Sequence, residues 1–395
     1  MPPPSFGFKL NIDGPFGRTW RAKHTNYPRI LLFRRAGCWK GKRVLKSKSM
    51  RLMCQKCSKA FAVSRKLPWC ECGGMFDLEF KPSPFDIDST DFTFWRYKGC
   101  LPVQRKVSLG EPITPIVPLA LGGRAVSAKL EYLLPTGSFK DRGAAILISA
   151  MRDAGVDSFI EDSSGNAAAA MSAYAARAGI KCGIYCPSSA SPTKLIQVER
   201  AGAEIHRIEG PRARTTEAVM ARAGEVFYAS HNWHPLFLHG TKTMAYEIAE
   251  QSGWNPPQHI VAPTGGGAVL LGLDLGFHEL LQIGRIRSIP KFHAVQAEAC
   301  APLVQNPVDP KPSIAEGILT ANPPRLEMLK RVVDSVTLVS EAEILDGFHI
   351  LCRAGFNAEP TSAVVVPAIA KLRIPATESI LVILTGSGFK FTPKA

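Results

Sequence analysis

The chain predicts an α/β fold built on open, mostly parallel sheets with helices on both faces. From about residue 125 short β-branched runs alternate with longer alanine-rich helical stretches, the pattern of a chain that winds helices over parallel strands. Gly, Ser, Thr and Asn punctuate the turns between them. With 46% hydrophobic and 21% charged residues over 395 positions, the chain can fill a large core, which excludes a disordered tail or a stapled mini-protein. The length alone suggests two or three domains.

Strands are expected at Ala125 to Lys129, Ser158 to Glu161, Lys181 to Cys186, Glu204 to Ile208, Ile260 to Pro263, Phe292 to Gln296 and Ile380 to Leu384. Helices are expected near residues 139 to 154, 166 to 178, 192 to 201, 212 to 223, 239 to 252, 267 to 283, 341 to 353 and 361 to 371. Residues 75 to 124, rich in Pro and aromatics, read as a linker into residues 81 to 395, a catalytic body of two interleaved subdomains. Asn306 to Pro324 reads as a long surface connection. No run approaches ~18 apolar residues, so no transmembrane helix is expected.

The formal charge of +15 is concentrated at one end. Residues 1 to 50 hold twelve Lys or Arg against one acid, Asp13, a net +11, and leave only +4 for the other 345 residues. With Pro2, Pro3, Pro4, Pro15 and Pro28 among them, these residues read as a basic, disordered arm or as upstream sequence with the start near Met50 or Met53. Organellar targeting and polyanion binding are the weaker alternatives. The arm lacks the apolar core of a secretory signal, so a cytoplasmic protein is expected.

Residues 51 to 80 carry Cys54 and Cys57, then Cys70 and Cys72 followed by Gly73 and Gly74. Two close cysteine pairs about a dozen residues apart, each on a tight turn, can present four thiolates to one tetrahedral ion. A zinc-ribbon-like segment is expected, with empty thiols as the alternative. Cys38, Cys100, Cys182, Cys186, Cys300 and Cys352 are scattered, as buried small hydrophobes are in a reducing compartment.

Open parallel sheets bind ligands beyond the carboxyl ends of their strands, which directs attention to four loops. Gly265-Gly266-Gly267-Ala268-Val269 lies between a strand and a helix, where bared N–H groups and the helix dipole attract a phosphate. Its spacing fits neither the dinucleotide nor the nucleoside-triphosphate motif. Lys140, in a glycine-flanked turn opening a helix, could lose solvent and become nucleophilic enough to bond an aldehyde. Asn166 stands on a helix-entry loop after Ser163, Ser164 and Gly165, and Thr385 stands at the end of the last strand. An amine, a phosphate cradle, an Asn and a strand-end hydroxyl are together the contacts that pyridoxal phosphate requires.

The sequence resembles the fold type II pyridoxal-phosphate enzymes, and most of all the threonine synthase group. The matching stretches are Gly110-Glu111-x-x-Thr114-Pro115, Pro135 to Gly143, Ser163 to Asn166, His239 to Thr243, Pro263 to Gly272, Ala315 to Ile318, Glu359 to Ala363 and Leu384 to Lys390. They lie within residues 51 to 391 and say nothing of the first fifty. The resemblance implies two open α/β domains, with Lys140 bonding the cofactor aldehyde and shuttling protons between substrate carbons. Asn166 would bond the cofactor's 3′-hydroxyl, residues 265 to 269 its phosphate, and Thr385, with Ser387 as second candidate, its ring nitrogen. Ser163, Ser164 and Gly165 would take the substrate α-carboxylate.

The implied reaction converts O-phosphohomoserine and water to threonine and phosphate. Four positions depart from the group's pattern. Phe237 replaces an Arg that helps bind substrate phosphate, the cofactor loop is Gly-rich instead of Asn-bearing, and Leu134 and Ala167 replace an Asn and a Thr. Lys242 and Arg142 are candidate replacements for the Arg, and His231, His234 and His239 cluster on the same loop. Glu316 and Glu359 read as structural anchors near the site. Cysteate synthase-like β-replacement and deamination of threonine, serine or diamino acids are the rival activities. A non-catalytic nucleic-acid-binding protein is the rival of another class, disfavoured because a relic has no reason to keep every cofactor contact. A homodimer acting on a small amino acid, away from membranes, is expected.

Overall fold

The computed structural model describes residues 50–190, 192–210 and 212–391, so the basic arm and Cys38 lie outside the described residues. Three sheets organise them.

The first is small and antiparallel, β2-β1-β3, from β1 (Arg51–Cys54), β2 (Ala60–Phe61) and β3 (Phe76–Glu79). Alternation turns Leu52, Cys54 and Phe76 inward and leaves Arg51 paired with Glu79 at 2.9 Å outside. The second, six-stranded sheet runs β12-β11-β10-β13-β5-β4. It comprises β4 (Ile116–Leu121), β5 (Arg124–Leu130), β10 (His259–Pro263), β11 (Lys291–Ala297), β12 (Ser335–Val339) and β13 (Ile380–Leu384). Its neighbours are parallel except β4 and β5, a hairpin turned by Gly122 and Gly123, both at positive φ. The third, β8-β7-β6-β9, is wholly parallel and comprises β6 (Ser158–Asp162), β7 (Lys181–Pro187), β8 (Glu204–Ile208) and β9 (Phe227–Tyr228). Strands β10 and β13 are buried along their whole length, which is why they read as unbroken apolar runs.

Helices α1 (Lys140–Asp153), α2 (Asn166–Ala178), α3 (Pro192–Arg200), α4 (Arg212–Arg222), α5 (Pro235–Thr241) and α6 (Thr243–Gln251) precede β10. After it come α7 (Ala268–Gln282), α8 (Leu326–Val332), α9 (Glu341–Arg353), α10 (Pro360–Ala363) and α11 (Val365–Lys371). Helices α1 and α5 meet closely enough that a Cβ at Gly240 would overlap the Arg142 carbonyl, and the Phe237 ring fills the space beside Gly143. Arg142 is fully buried and ties the layers: its guanidinium donates to Glu131 (2.7 Å) and Glu247 (2.6 Å), and Lys129 donates to Glu247 (2.7 Å). Such a cluster gives a single register to β5, α1 and α6, because removing one partner leaves an uncompensated buried charge.

Each expected strand is present with ends within one residue. The expected helices at 239 to 252 and 361 to 371 are each two helices, broken at Lys242 and Val364. Strands β4, β9 and β12 and helix α8 were not expected; β4 hides its pattern behind Pro118, tolerated because the strand is at the sheet edge. Two loop expectations are corrected. Within residues 75 to 124, Phe94, Trp95 and Tyr97 are core residues, with Trp95 Nε1 donating to Glu111 at 2.9 Å. Within Asn306 to Pro324, Ala315 and Ile318 are buried, and Ile318 packs over the glycine turn after β10.

Candidate active site

The carboxyl ends of β6, β10 and β13 and the segment after β5 deliver the predicted residues to one cleft. The Lys140 turn is tied to the end of β13: Phe139 N donates to Thr385 O at 3.0 Å, and Ser138 bridges Gly386. Asp141 accepts from Thr136 N at 2.7 Å and from its hydroxyl, so the turn is rigid just where α1 begins. Lys140 Nζ lies 5.0 Å from the centre of the Phe139 ring and 5.7 Å from that of Phe237. Loss of solvent lowers its pKa to about 8 against the pull of Glu161 and Glu359, which makes a neutral amine accessible. Position 237 therefore forms an apolar wall beside Lys140.

Beside it, β6 ends in two acids. Glu161 is fully buried; it accepts from His231 N at 3.2 Å and meets His231 Nδ1, and burial raises its carboxyl to about 8. Burial and Lys140 hold His231 well below its ordinary pKa. Asp162 accepts from Tyr228 Oη at 2.6 Å and from Arg212.

The turn Gly265–Val269 fits a phosphate. No described residue accepts from the five backbone N–H groups of Gly265 to Val269, and they open the fifteen-residue α7. Only glycines suit it: Gly267 has φ +83°, a Cβ at Gly265 would come within 2.8 Å of Ile318 Cα, and one at Gly266 would overlap Asn232 Oδ1. The buried Thr385 hydroxyl lies 3.2 Å from Ser362 Oγ, which also accepts from Thr385 N at 2.9 Å. The Ser138 hydroxyl, two residues before Lys140, is buried without a described partner. Amine, amide cradle and hydroxyl pair thus fit pyridoxal phosphate by their chemistry.

Across the cleft Asn166 heads α2. Its Nδ2 donates to both Glu359 carboxylate oxygens (3.1 and 3.0 Å), and its Oδ1 accepts from Lys390 Nζ at 3.0 Å. Before it, Ser163 Oγ accepts from Gly165 N at 3.3 Å, while the N–H groups of Ser164, Asn166, Ala167 and Ala168 have no described acceptor.

Other sequence candidates are engaged elsewhere. Lys242 is fully buried with Nζ 2.8 Å from Glu279, and Arg142 is in the Glu131–Glu247 cluster, so neither ammonium nor guanidinium is available to a substrate. The three histidines do not converge: His231 faces Glu161, His234 Nδ1 accepts from Leu236 N at 3.3 Å, and His239 packs edge-on to Phe80. Ser387 caps the last turn, accepting from Phe389 N at 3.3 Å. Sequence reasoning missed Glu161, Ser362, Asn232 and Lys390. Only Ser362 and Lys390 had a signal, since both lie in stretches that match the family.

The Cys54, Cys57, Cys70 and Cys72 sulfurs all lie within 4.8 Å of one another, with 3.5 Å between Cys54 and Cys72 and 3.6 Å between Cys57 and Cys70. Tetrahedral zinc at ~2.3 Å from each sulfur would place them about 3.8 Å apart, so the cluster is compatible with a structural zinc. A Cβ at Gly74 would come within 2.5 Å of Cys54 Sγ, which accounts for that glycine. The ribbon is anchored on both larger sheets' layers: Tyr228 N donates to Lys66 O at 2.9 Å, and Arg325 donates to Phe76 O at 3.2 Å.

A family model described as pyridoxal-phosphate dependent enzyme matches residues 107–386. The threonine synthase of Methanocaldococcus jannaschii is 30% identical over 372 residues, covering 85% of this chain and 92% of that protein. The threonine synthase of Bacillus sp. (strain ULM1) is 33% identical over 314 residues, covering 75% and 89%. Among solved structures, the O-acetylserine dependent cystathionine β-synthase of Helicobacter pylori superposes with a TM-score of 0.62 at 23% identity, covering 71% of this chain and 95% of that one. A threonine deaminase from T.th. does so at 0.59 and 25% identity, covering 71% and 94%. Among the described residues no helix is long and apolar enough to cross a membrane. With that cleft and those relatives, the chain belongs to the pyridoxal-phosphate dependent enzymes of fold type II, as a threonine synthase-like lyase.

Proposed function

We propose that the protein is a threonine synthase, converting O-phosphohomoserine and water to threonine and phosphate. The observation that carries this reading is the run of relatives named threonine synthase that match this chain over most of both lengths, supported by Lys140, Asn166, the glycine turn and Thr385 facing one cleft. Lys140 would hold the cofactor covalently, Gly265, Gly266, Gly267, Ala268 and Val269 would hold its phosphate through backbone N–H groups, and Thr385, supported by Ser362, its ring nitrogen. The cofactor supplies an electron sink for carbanions formed on the substrate. The Thr385 hydroxyl, in place of a carboxylate, would leave that sink moderate, which would suit elimination and hydration better than transamination.

The chain's own groups do the rest. Ser163, Ser164 and Gly165 receive the α-carboxylate on the first turn of α2, orienting the substrate. Lys140 Nζ carries protons between the substrate carbons, and its desolvated setting brings its pKa near the working range for that task. Phe237 and Phe139 keep water from its ammonium side. We read the four thiols as a structural zinc site and the chain as a cytoplasmic homodimer whose ribbon, residues 51 to 80, precedes a catalytic body over 81 to 395.

Parallel assays of the cofactor-loaded enzyme test the reading. Phosphate and threonine should appear in equal amounts from O-phosphohomoserine. A sulfonated product from O-phosphoserine and sulfite, or 2-oxobutyrate and ammonia from threonine as the faster reaction, would replace it with β-replacement or deamination.

A further inference from the structure

Apart from Lys140, the cations described around the cleft divide into those already engaged and one held differently. Arg142 and Lys242 are buried in ion pairs with Glu131, Glu247 and Glu279. Arg212 pairs with Asp162, and Arg325 donates to the Phe76 and Trp233 carbonyls. Lys390 stands apart: the hydrogen bond described for its Nζ runs to a neutral acceptor, Asn166 Oδ1, at 3.0 Å. An amide oxygen is a weaker partner for an ammonium than an anionic oxygen, because the charge-assisted bond has charge on one side alone.

The path of the Lys390 side chain is as specific as its end. It leaves the 3₁₀ turn after β13 and crosses Gly137, three residues before Lys140, where a Cβ would stand 3.1 Å from its Cε and 3.5 Å from its Nζ. Gly137 also has φ +81°, so a bulkier residue there is disfavoured by backbone as well as space. The ammonium thus arrives beside Asn166, at the end of the α2 turn whose amides lack acceptors. An amino acid seated by its α-carboxylate on that turn would lie beside Asn166, which this ammonium contacts. Partial burial lowers the pKa of Lys390, with Glu359 and Asp141 opposing the shift, so exchanging a neutral acceptor for an anion would favour its charged form.

We propose that Lys390 is the specificity residue for an acidic substrate side chain, its Nζ exchanging Asn166 Oδ1 for a phosphate oxygen of the leaving group. This rests on the phosphorylated-substrate reading above. The ammonium is a stronger partner for the departing phosphate, which gains charge as the carbon–oxygen bond breaks, than for the bound ester, so it aids departure as well as binding.

Binding to the cofactor-loaded enzyme, followed by the change in visible absorbance, separates the possibilities. The probes are 2-amino-5-phosphonopentanoate, in which CH₂ replaces the bridging oxygen of O-phosphohomoserine, and norvaline, which has the same carbon chain and no anion on its side chain. Wild type should prefer the phosphonate. Lys390→Ala should weaken the phosphonate by roughly 10- to 100-fold, the range of a charged hydrogen bond, and leave norvaline within about twofold. Lys390→Arg should restore most of the preference. A Lys390→Ala enzyme that keeps the wild-type preference overturns the assignment while leaving the substrate reading intact. Equal weakening of both probes also overturns it, making Lys390 a support for Asn166. A wild type with no preference for the phosphonate removes the substrate reading and the assignment together.

Discussion

Two strand-to-helix turns face the cleft with the same backbone device and opposite surroundings. Gly265–Val269 follows β10, a fully buried strand without acidic residues, and its glycines pack against Ile318, Asn232 and Leu329. Ser163–Asn166 follows β6, which ends in Glu161 and Asp162, and its Gly165 faces open space with no atom within 4 Å of a would-be Cβ. Both leave N–H groups without described acceptors. A turn enclosed on every side suits an anion that stays, and a turn with free space suits one that enters and leaves at each turnover. The glycines are therefore not equivalent, although the sequence shows them as similar punctuation.

The contrast is sharpest at Gly265. Replacing it with Ala drives a Cβ to within 2.8 Å of the Ile318 backbone, and overpacking of this kind costs ~1–3 kcal/mol, so cofactor affinity should fall roughly 10- to 100-fold by equilibrium dialysis. Unchanged affinity would mean that the turn after β10 is not the enclosed one.

A smaller effect should mark the acids of the second turn. Burial raises Glu161 to about 8, with Lys140 first among the opposing influences. The unfolded carboxyl ionises near its model value of 4.5 while the folded one keeps its proton to about 8, so stability falls as pH rises through that window and the penalty is complete above it. Glu161→Gln should flatten this decline in denaturant titrations of the cofactor-free protein. Part of it should persist, because Asp141 is likewise raised, to about 7. A decline as steep as wild type's would show that the carboxyl ionises freely in the fold.

The smallest effect is expected at Gly165. Gly165→Ala meets no neighbour and gives up only the N-cap preference of α2 for Gly over Ala, so stability should fall by about 0.5–1 kcal/mol and cofactor retention should not change. A loss of cofactor comparable to that of Gly265→Ala would erase the distinction between the turns.

Much of this architecture is legible in the sequence because parallel strands buried on both faces advertise themselves as apolar runs, as Ile380 to Leu384 does. Strand β12 was missed because Ser335–Val339 is short and only half-buried, and Pro118 disguised β4. In the cleft, Lys140, Asn166, the glycines and Thr385 were readable because their neighbours restrict backbone conformation. Glu161 was not, since an acid in a strand looks like an ordinary surface charge until the fold brings it beside Lys140, and Lys390 was marked only by its matching stretch until the fold brings it beside Asn166. Lys242 and Arg142 misled for the converse reason, since their partners Glu279, Glu131 and Glu247 lie on other elements, 37, 11 and 105 residues away in sequence.

The account depends on Lys140 Nζ as the point of covalent attachment. Borohydride reduction of the protein loaded with pyridoxal phosphate, followed by digestion and mass spectrometry, should find the phosphopyridoxyl adduct on the peptide bearing Lys140, with the adduct and the visible absorbance both absent from Lys140→Ala. An unmodified Lys140 peptide in the wild type, or an adduct on another lysine, would contradict it.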